Sequence, residues 1–366
     1  MIPTSKPVLP DKELIKAAID DIWSTNKLSG YGKYGLMFEE KAKEFTGAKY
    51  ALAVSSGDMA LKLSMASMKP WGRELAMPTF TFNSTYMAAD WNSYSIHLMD
   101  INPRTLLVPL ETIEWMVKSQ DIRTFVLVNT FGNMYDINEL NYLKSRYELT
   151  ILFDSAHSFG SEYRGKRSGG LGYTECFSFS PTKLITSGEG GIICTDSADM
   201  YEELQKRRNY GMIGDYNSTV QGCNGKISEI NAAIGAYSID MLSDLVEKKN
   251  EIVFKLMCRI NAKAQSGMNW CPHFQELTPW VRSTYKDFIV FGLCDDMNMD
   301  PQGKLEKAGI QTKRYFLPLH KQMYCHDGNS FPNADDVYRN SLCIPSHTSL
   351  ADEEIDFIVD ELCKLG

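Results

Sequence analysis

Between Tyr50 and Thr195, short apolar and β-branched runs alternate with stretches of helical periodicity, and that alternation leaves few folds open. Strands joined by helices of about ten residues must run parallel, because each crossover returns the chain to the same end of the sheet. The strand candidates are Tyr50–Val54, Leu75–Met77, Ser95–Met99, Phe125–Asn129, Thr150–Phe153, Glu175–Phe179 and Gly191–Thr195. Helical stretches such as Ala60–Met68, Ser84–Trp91 and Asn138–Tyr147 fall between them. The pattern predicts an α/β fold with a mostly parallel seven-stranded sheet and flanking helices. The last two strands differ, since the Gly-rich link Ser180–Gly190 is too short for a helical crossover. That link is read as a loop, and loops at strand ends carry function.

Ahead of the sheet, Leu14, Ile15, Ala18, Ile19 and Ile22 repeat at helical spacing, and a Gly-rich stretch follows from Gly30 to Gly35. After it, Ser228 to about Cys258 reads as one long helix, and a shorter α+β region runs to the end. In the final helix Ser349 and Asp352 form a capping-box pattern, with Ile355, Ile358, Val359 and Leu362 on one face. The change of element pattern divides the chain into a large domain, 1–245, and a smaller C-terminal α+β domain, 246–366.

Charge narrows the partners. Thirty-eight Lys and Arg against 46 Asp and Glu leave a net charge of -8, which argues against a nucleic-acid or anionic membrane surface as partner. No apolar run approaches the roughly 18 residues of a membrane span, and the start lacks a signal-peptide layout, so a cytoplasmic protein is expected. Nine Cys without a C-x-x-C pair indicate neither a disulfide framework nor a zinc site, and no metal is expected.

Four segments carry chemistry. Lys183 lies in a charge-poor stretch between two apolar strands, where desolvation would lower its pKa and make it an amine nucleophile or base; a solvated surface lysine is the alternative. Asp154 directly follows the apolar run of a strand, at the carboxyl end where open α/β sheets place ligands, unless it only caps a helix. His157 reads equally as a core histidine. At Ser55-Ser-Gly57-Asp58 a strand stops and a helix begins, so free N–H groups at the positive end of a helix dipole offer a phosphate seat, or an ordinary turn. Phe80 and Phe82 face one side of a strand end, for core packing or for stacking on a planar ring. A Lys for a Schiff base, an Asp for a pyridine nitrogen, a stacking aromatic and a phosphate seat together answer the needs of pyridoxal phosphate.

In this order the motifs resemble those of the DegT/DnrJ/EryC1/StrS sugar aminotransferases, which are fold-type-I pyridoxal-phosphate enzymes. The resemblance begins at Gly32 to Glu39 and runs through Ser55-Ser-Gly57, Pro78-x-Phe-Thr-Phe82, Asp154-x-x-His157, Gly170-Leu-Gly172, Cys176-Phe-Ser-Phe179, Thr182-Lys183 and Gly188-Glu-Gly-Gly191. Arg208-Asn-Tyr-Gly211, Asn224-x-Lys-x-Ser-Glu229 and Pro318-Leu-His320 complete it.

The resemblance implies that Lys183 binds the cofactor covalently and Asp154 pairs with its ring nitrogen. It also implies that Phe82 stacks on the ring and that Gly57, Asp58 and Ser178 hold the phosphate, joined by Asn224 from the other subunit of a homodimer with shared active sites. His157, where many members have Gln, is expected to bond the cofactor's phenolic oxygen. Asp58 stands where many relatives have Thr, and Lys226 where Arg is frequent. Lys183 is retained, whereas the related sugar 3-dehydratases have His there. Tyr315 and His320 match a segment near the substrate, and the Gly30–Gly35 loop is a candidate to close over it.

The implied activity moves the amino group of L-glutamate to a nucleotide-linked keto sugar, cycling pyridoxal phosphate through pyridoxamine phosphate. The favoured acceptor is dTDP-4-keto-6-deoxyglucose, giving a dTDP-4-amino-4,6-dideoxyhexose for surface polysaccharide such as O-antigen. A 3-keto sugar or cyclitol aminotransferase, a sugar dehydratase and a non-catalytic binding member are the alternatives.

Overall fold

The computed structural model describes residues 1–70, 72–265, 271–293, 300–325 and 328–365. Two helices, α1 (Lys12–Thr25) and α2 (Lys33–Thr46), precede the sheet. Then come β1 (Tyr50–Val54), α3 (Gly57–Ser67), β2 (Glu74–Pro78), α4 (Asn83–Trp91), β3 (Ser95–Met99), α5 (Leu110–Gln120), β4 (Thr124–Val128), α6 (Ile137–Tyr147) and β5 (Thr150–Asp154). Two short strands, β6 (Glu162–Tyr163) and β7 (Lys166–Arg167), lead to β8 (Thr174–Ser178), β9 (Gly191–Thr195) and α7 (Ala198–Arg208). Beyond these lie α8 (Glu229–Asp240), α9 (Leu242–Gln265), β10 (His273–Phe274), β11 (Val281–Arg282), β12 (Phe288–Phe291), α10 (Pro301–Lys307), α11 (Pro332–Asn340), β13 (Ser341–Ile344) and α12 (Asp352–Cys363).

The main sheet has seven strands in the order β1-β9-β8-β5-β4-β2-β3. The pairs β2–β3, β2–β4, β4–β5 and β5–β8 are parallel, whereas β9 runs against both β8 and β1. The short loop 180–190 dictates that reversal, because a direct return can only produce an antiparallel neighbour. Since β1 and β8 both oppose β9, β1 points the same way as β8, and the carboxyl ends of β1, β2, β4, β5 and β8 share one edge. Interior strands are covered on both faces, as helices on both sides require: β4 and β9 are buried at all five positions, and the one carboxylate buried within β8, Glu175, is held by Ser155, Ser168 and the Gly169 N–H.

The C-terminal region builds a smaller antiparallel sheet, β10-β12-β13. Helix α9 ties it to the main sheet. Leu242, Leu245 and Val246 pack with Phe38 and Phe159 in one apolar cluster, while Ile252, Val253, Leu256 and Ile260 pack with β12, β13 and α12 in another. The helix is continuous through residue 245, so the change of core occurs along its length.

Three expectations are corrected. The single helix expected over 228–258 is two, α8 and α9, separated at Met241. The last helix starts at Asp352 behind Ala351, whose N–H donates to Glu354 Oε2 at 3.0 Å; Ser349 Oγ is engaged with His347 Nδ1. Gly30–Gly35 is not all loop, because α2 begins at Lys33, where the Glu229 carboxylate accepts from the Tyr34 N–H at 2.8 Å. Among the described residues no helix is long and apolar enough to cross a membrane.

Candidate active site

A cavity of about 490 Å³ opens at the shared carboxyl edge, where β1, β5 and β8 end and α3 and α4 begin. A larger cleft of about 580 Å³, beside Arg73, Trp91 and Arg207, lies elsewhere and brings together no comparable reactive groups. The edge cavity is lined by Gly57, Asp58, Phe82, Asp154, His157, Ser178 and Lys183, residues from five separate segments.

Asp154 ends β5 and is almost fully buried. Its Oδ2 accepts from Thr85 Oγ1 at 2.7 Å, its Oδ1 from the Ala156 N–H at 3.1 Å, and Thr81 Oγ1 lies 2.9 Å from Thr85 Oγ1. These bonds fix the carboxylate at the cavity wall, yet no cation pairs with it among the described residues. Burial therefore holds its pKa above the usual carboxylate value. A protonated ring nitrogen would supply the missing counter-charge.

Lys183 lies in the loop between β8 and β9, and its side chain has no hydrogen-bond partner among the described residues. Burial, and next the nearby charge of Lys286, lower its pKa from 10.5 to about 7, against an opposing pull from Asp154 and Asp287. At neutral pH about half of such an amine is unprotonated and able to act as nucleophile or base.

The segment expected to seat a phosphate lies at the start of α3. Ser56 caps the helix by accepting from the Met59 N–H at 3.0 Å, which leaves the N–H groups of Gly57 and Asp58 without intrahelical acceptors. Glycine at 57 is required by close approach: a Cβ there would stand 2.6 Å from the Ser178 Cβ at the end of β8. The Asp58 carboxylate turns along the helix to pair with Lys62 Nζ at 2.8 Å, so its charge is compensated.

Phe80 and Phe82 divide. Phe80 is fully buried and packs edge-on to Phe316, whereas Phe82 is 58% exposed at the cavity edge, free to face a planar ring. The His157 ring stacks on Phe131 with centroids 5.6 Å apart, and its Nδ1 accepts from the Phe131 N–H at 3.2 Å. A backbone N–H can only donate, so the ring proton sits on Nε2. Burial, Lys183 and Lys286 keep the imidazole neutral well below its ordinary pKa.

Tyr315 lines the cavity. His320 does not: it is buried, with Nδ1 2.9 Å from Thr79 Oγ1 and Nε2 3.1 Å from Asp335, so it braces the small region against β2 instead of meeting a ligand here. Asn224 is exposed and outside this cavity, in a backbone bridge with Asn209, and Gly30–Gly35 does not line it either. Sequence reasoning missed Thr85, which holds Asp154, and Lys286, whose side chain enters from the C-terminal region. The Lys-Asp pair set directly before the apolar strand β12 was the one available signal for Lys286. Among the described residues no group of three or more His, Cys, Asp or Glu could hold a metal ion.

The residues present suit pyridoxal phosphate: an uncompensated buried carboxylate, a depressed lysine, an open aromatic edge and a helix start with free N–H groups share one cavity. The DegT/DnrJ/EryC1/StrS aminotransferase family profile matches residues 10–363. A GDP-perosamine synthase of Escherichia coli O157:H7 is 26% identical over 367 residues, covering 99% of this chain and 97% of that one. A dTDP-4-amino-4,6-dideoxy-D-glucose transaminase of Shigella dysenteriae is 26% identical over 369 residues, covering 99% and 98%. In fold the chain is similar to Helicobacter pylori PseC, an aminotransferase involved in the biosynthesis of pseudoaminic acid, with a TM-score of 0.88 at 23% identity over 100% of this chain and 98% of that one.

Proposed function

The chain belongs to the DegT/DnrJ/EryC1/StrS aminotransferase family, and from that premise we propose that it transfers the amino group of L-glutamate to dTDP-4-keto-6-deoxyglucose. The product is then a dTDP-4-amino-4,6-dideoxyhexose for surface polysaccharide, made in the cytoplasm by a homodimer. The cofactor is pyridoxal phosphate. One observation carries the reading: Lys183 and Asp154 line one cavity, each with a perturbed pKa.

Pyridoxal phosphate, when bound, supplies an electron sink beside the carbon that gains or loses the amino group. The protein's own groups do the rest. Lys183 Nζ, with its pKa lowered to about 7, would serve as the base that takes a proton from the donor's α-carbon and holds it, a role that needs its amine unprotonated at working pH. Asp154, held by Thr85 and Ala156, would keep the ring nitrogen protonated. Gly57 and Asp58 would offer N–H groups and Ser178 a hydroxyl to the phosphate, Phe82 would cover the ring, and His157 Nε2–H would donate to the phenolic oxygen. Asn224, exposed and away from its own cavity, is assigned to the partner's phosphate seat.

For the acceptor, the 4-keto choice rests on His157 and on relatives that include a dTDP-4-amino-4,6-dideoxy-D-glucose transaminase. A GDP-linked 4-keto sugar is the second reading, favoured by similarity to GDP-perosamine synthases. The decisive experiment supplies purified protein with glutamate and a panel of 3-keto and 4-keto sugars on dTDP, GDP and UDP, and identifies the aminated product. Amination of the dTDP 4-keto sugar above all others is expected; preference for another nucleotide or ring position overturns that assignment.

A further inference from the structure

The segment 283–287 reaches the cavity from the C-terminal region and is docked with little freedom. Gly132, at φ 95°, admits it: a Cβ there would stand 2.4 Å from Thr284 Oγ1 and 2.6 Å from Ser283 Oγ. Thr284 Oγ1 donates to the His157 carbonyl at 2.6 Å, and the Lys286 N–H donates to the Phe131 carbonyl at 3.2 Å. The backbone beside Lys286 is thereby fixed to the same turn that orients His157.

The Lys286 side chain is only 4% exposed yet lines the cavity with Lys183. Its Nζ donates to Asp287 Oδ2 at 2.5 Å, and Asp287 is its one hydrogen-bond partner among the described residues. An ammonium has three N–H donors, so most of its capacity is unspent in a place water reaches poorly. The buried charges around Lys286 do not balance once Asp154 is committed to a ring nitrogen. Lys286 and Lys313 stand 5.3 Å and 5.8 Å from the Tyr315 ring centroid, Lys183 shares the cavity, Asp287 is the carboxylate paired with Lys286, and Glu189 on the cavity lining is exposed to solvent. The cofactor's phosphate does not correct the imbalance, because its seat is at the start of α3.

An anion that reaches a nearly buried ammonium beside Lys183 has to travel with the reacting atoms. The donor glutamate carries a carboxylate on its reacting carbon and a second one at the end of a short chain. In a nucleotide sugar the diphosphate is set apart from the reacting carbonyl by the sugar ring. We infer that Lys286 recognises a carboxylate of the amino donor, and that Asp287 holds its ammonium in position. The inference rests on the glutamate-donor reading above.

The test uses cofactor-loaded enzyme and glutarate, a dicarboxylate with no amino group to transfer. Glutarate binding is measured by calorimetry for the wild type, Lys286→Met, Lys286→Arg and the double variant K286M/D287N, with KM for glutamate and for the keto sugar beside it. The double variant removes the ion pair as a unit, so no buried charge is left unpaired if the single variant fails to fold. Losing a charge-assisted contact should weaken glutarate binding and raise KM for glutamate by roughly tenfold to a hundredfold, with KM for the keto sugar unchanged. Lys286→Arg should retain part of the affinity. Wild-type glutarate affinity in the folded, cofactor-loaded double variant overturns the inference, as does a defect confined to the keto sugar. A wild-type enzyme that ignores both glutarate and glutamate but aminates from another donor overturns the donor reading itself, and is told apart by needing no variant.

Discussion

The Thr85 hydroxyl donates to Asp154 Oδ2 at 2.7 Å and so couples the first turn of α4 to the end of β5. This bond stabilises the charged form of a carboxylate that burial pushes toward neutrality. Thr85→Val keeps the shape and removes the donor, which should tilt Asp154 further toward the neutral acid and weaken its hold on a ring nitrogen. A hydrogen bond to a charged group contributes about 1.5–3 kcal/mol, so kcat or cofactor affinity should fall roughly tenfold to a hundredfold. Asp154→Asn should cost more, because the charge itself is lost. Equal kcat and cofactor Kd in T85V and wild type would show that the hydroxyl only packs.

Lys183→Ala should abolish both amino transfer and the visible absorbance of bound cofactor while leaving the fold intact, since the side chain makes no hydrogen bond among the described residues. The same lysine sets a pH signature. With its pKa lowered to about 7, cofactor capture by stripped enzyme should accelerate as pH rises through about 7 and then level off. Capture that keeps accelerating up to the ordinary lysine range would place Lys183 in a solvated environment.

Gly57→Ala tests the phosphate seat. The added methyl would lie 2.6 Å from the Ser178 Cβ, and the backbone on both sides has to move apart to relieve it. Overpacking of this kind costs about 1–3 kcal/mol, and here it displaces the N–H groups and the hydroxyl together. Phosphate-dependent cofactor affinity should drop at least as much as it does in Ser178→Ala; wild-type affinity would put the phosphate elsewhere.

How far the chain was legible follows from where its information is local. All seven strands of the main sheet stand within a residue of their expected positions, because each is a short apolar run between turn residues. The reversal at β9 was visible in the shortness of the 180–190 loop. The break at Met241 was not, because apolar residues continue through it at helical spacing. Ser349 misled for a different reason: its hydroxyl is taken by His347, and the helix waits for Ala351 and Glu354. Asp154 and Lys183 carry their signals in their own segments. Thr85, Lys286 and the diversion of His320 to Thr79 and Asp335 arise from contacts far apart in the chain, which no local pattern records.

Lys249 offers a test of the region beneath the cavity. Its Nζ, buried in α9, donates to the Ser346 carbonyl and hydroxyl at 2.6 Å each, and burial lowers its pKa from 10.5 to about 7 despite the opposing charge of Asp287. Between about 7 and 10.5 the unfolded chain holds a proton at this site that the folded chain has released. Stability then rises with pH across that window and is lost as pH falls back through about 7. A fully separated pair of pKa values contributes about 1.4 kcal/mol per pH unit. Lys249→Met removes this dependence. The stability difference between wild type and K249M, from urea unfolding at several pH values in the window, should therefore move in favour of wild type as pH rises. A difference that stays flat would mean that Lys249 remains protonated in the folded protein, with Asp287 and Ser346 together outweighing its burial.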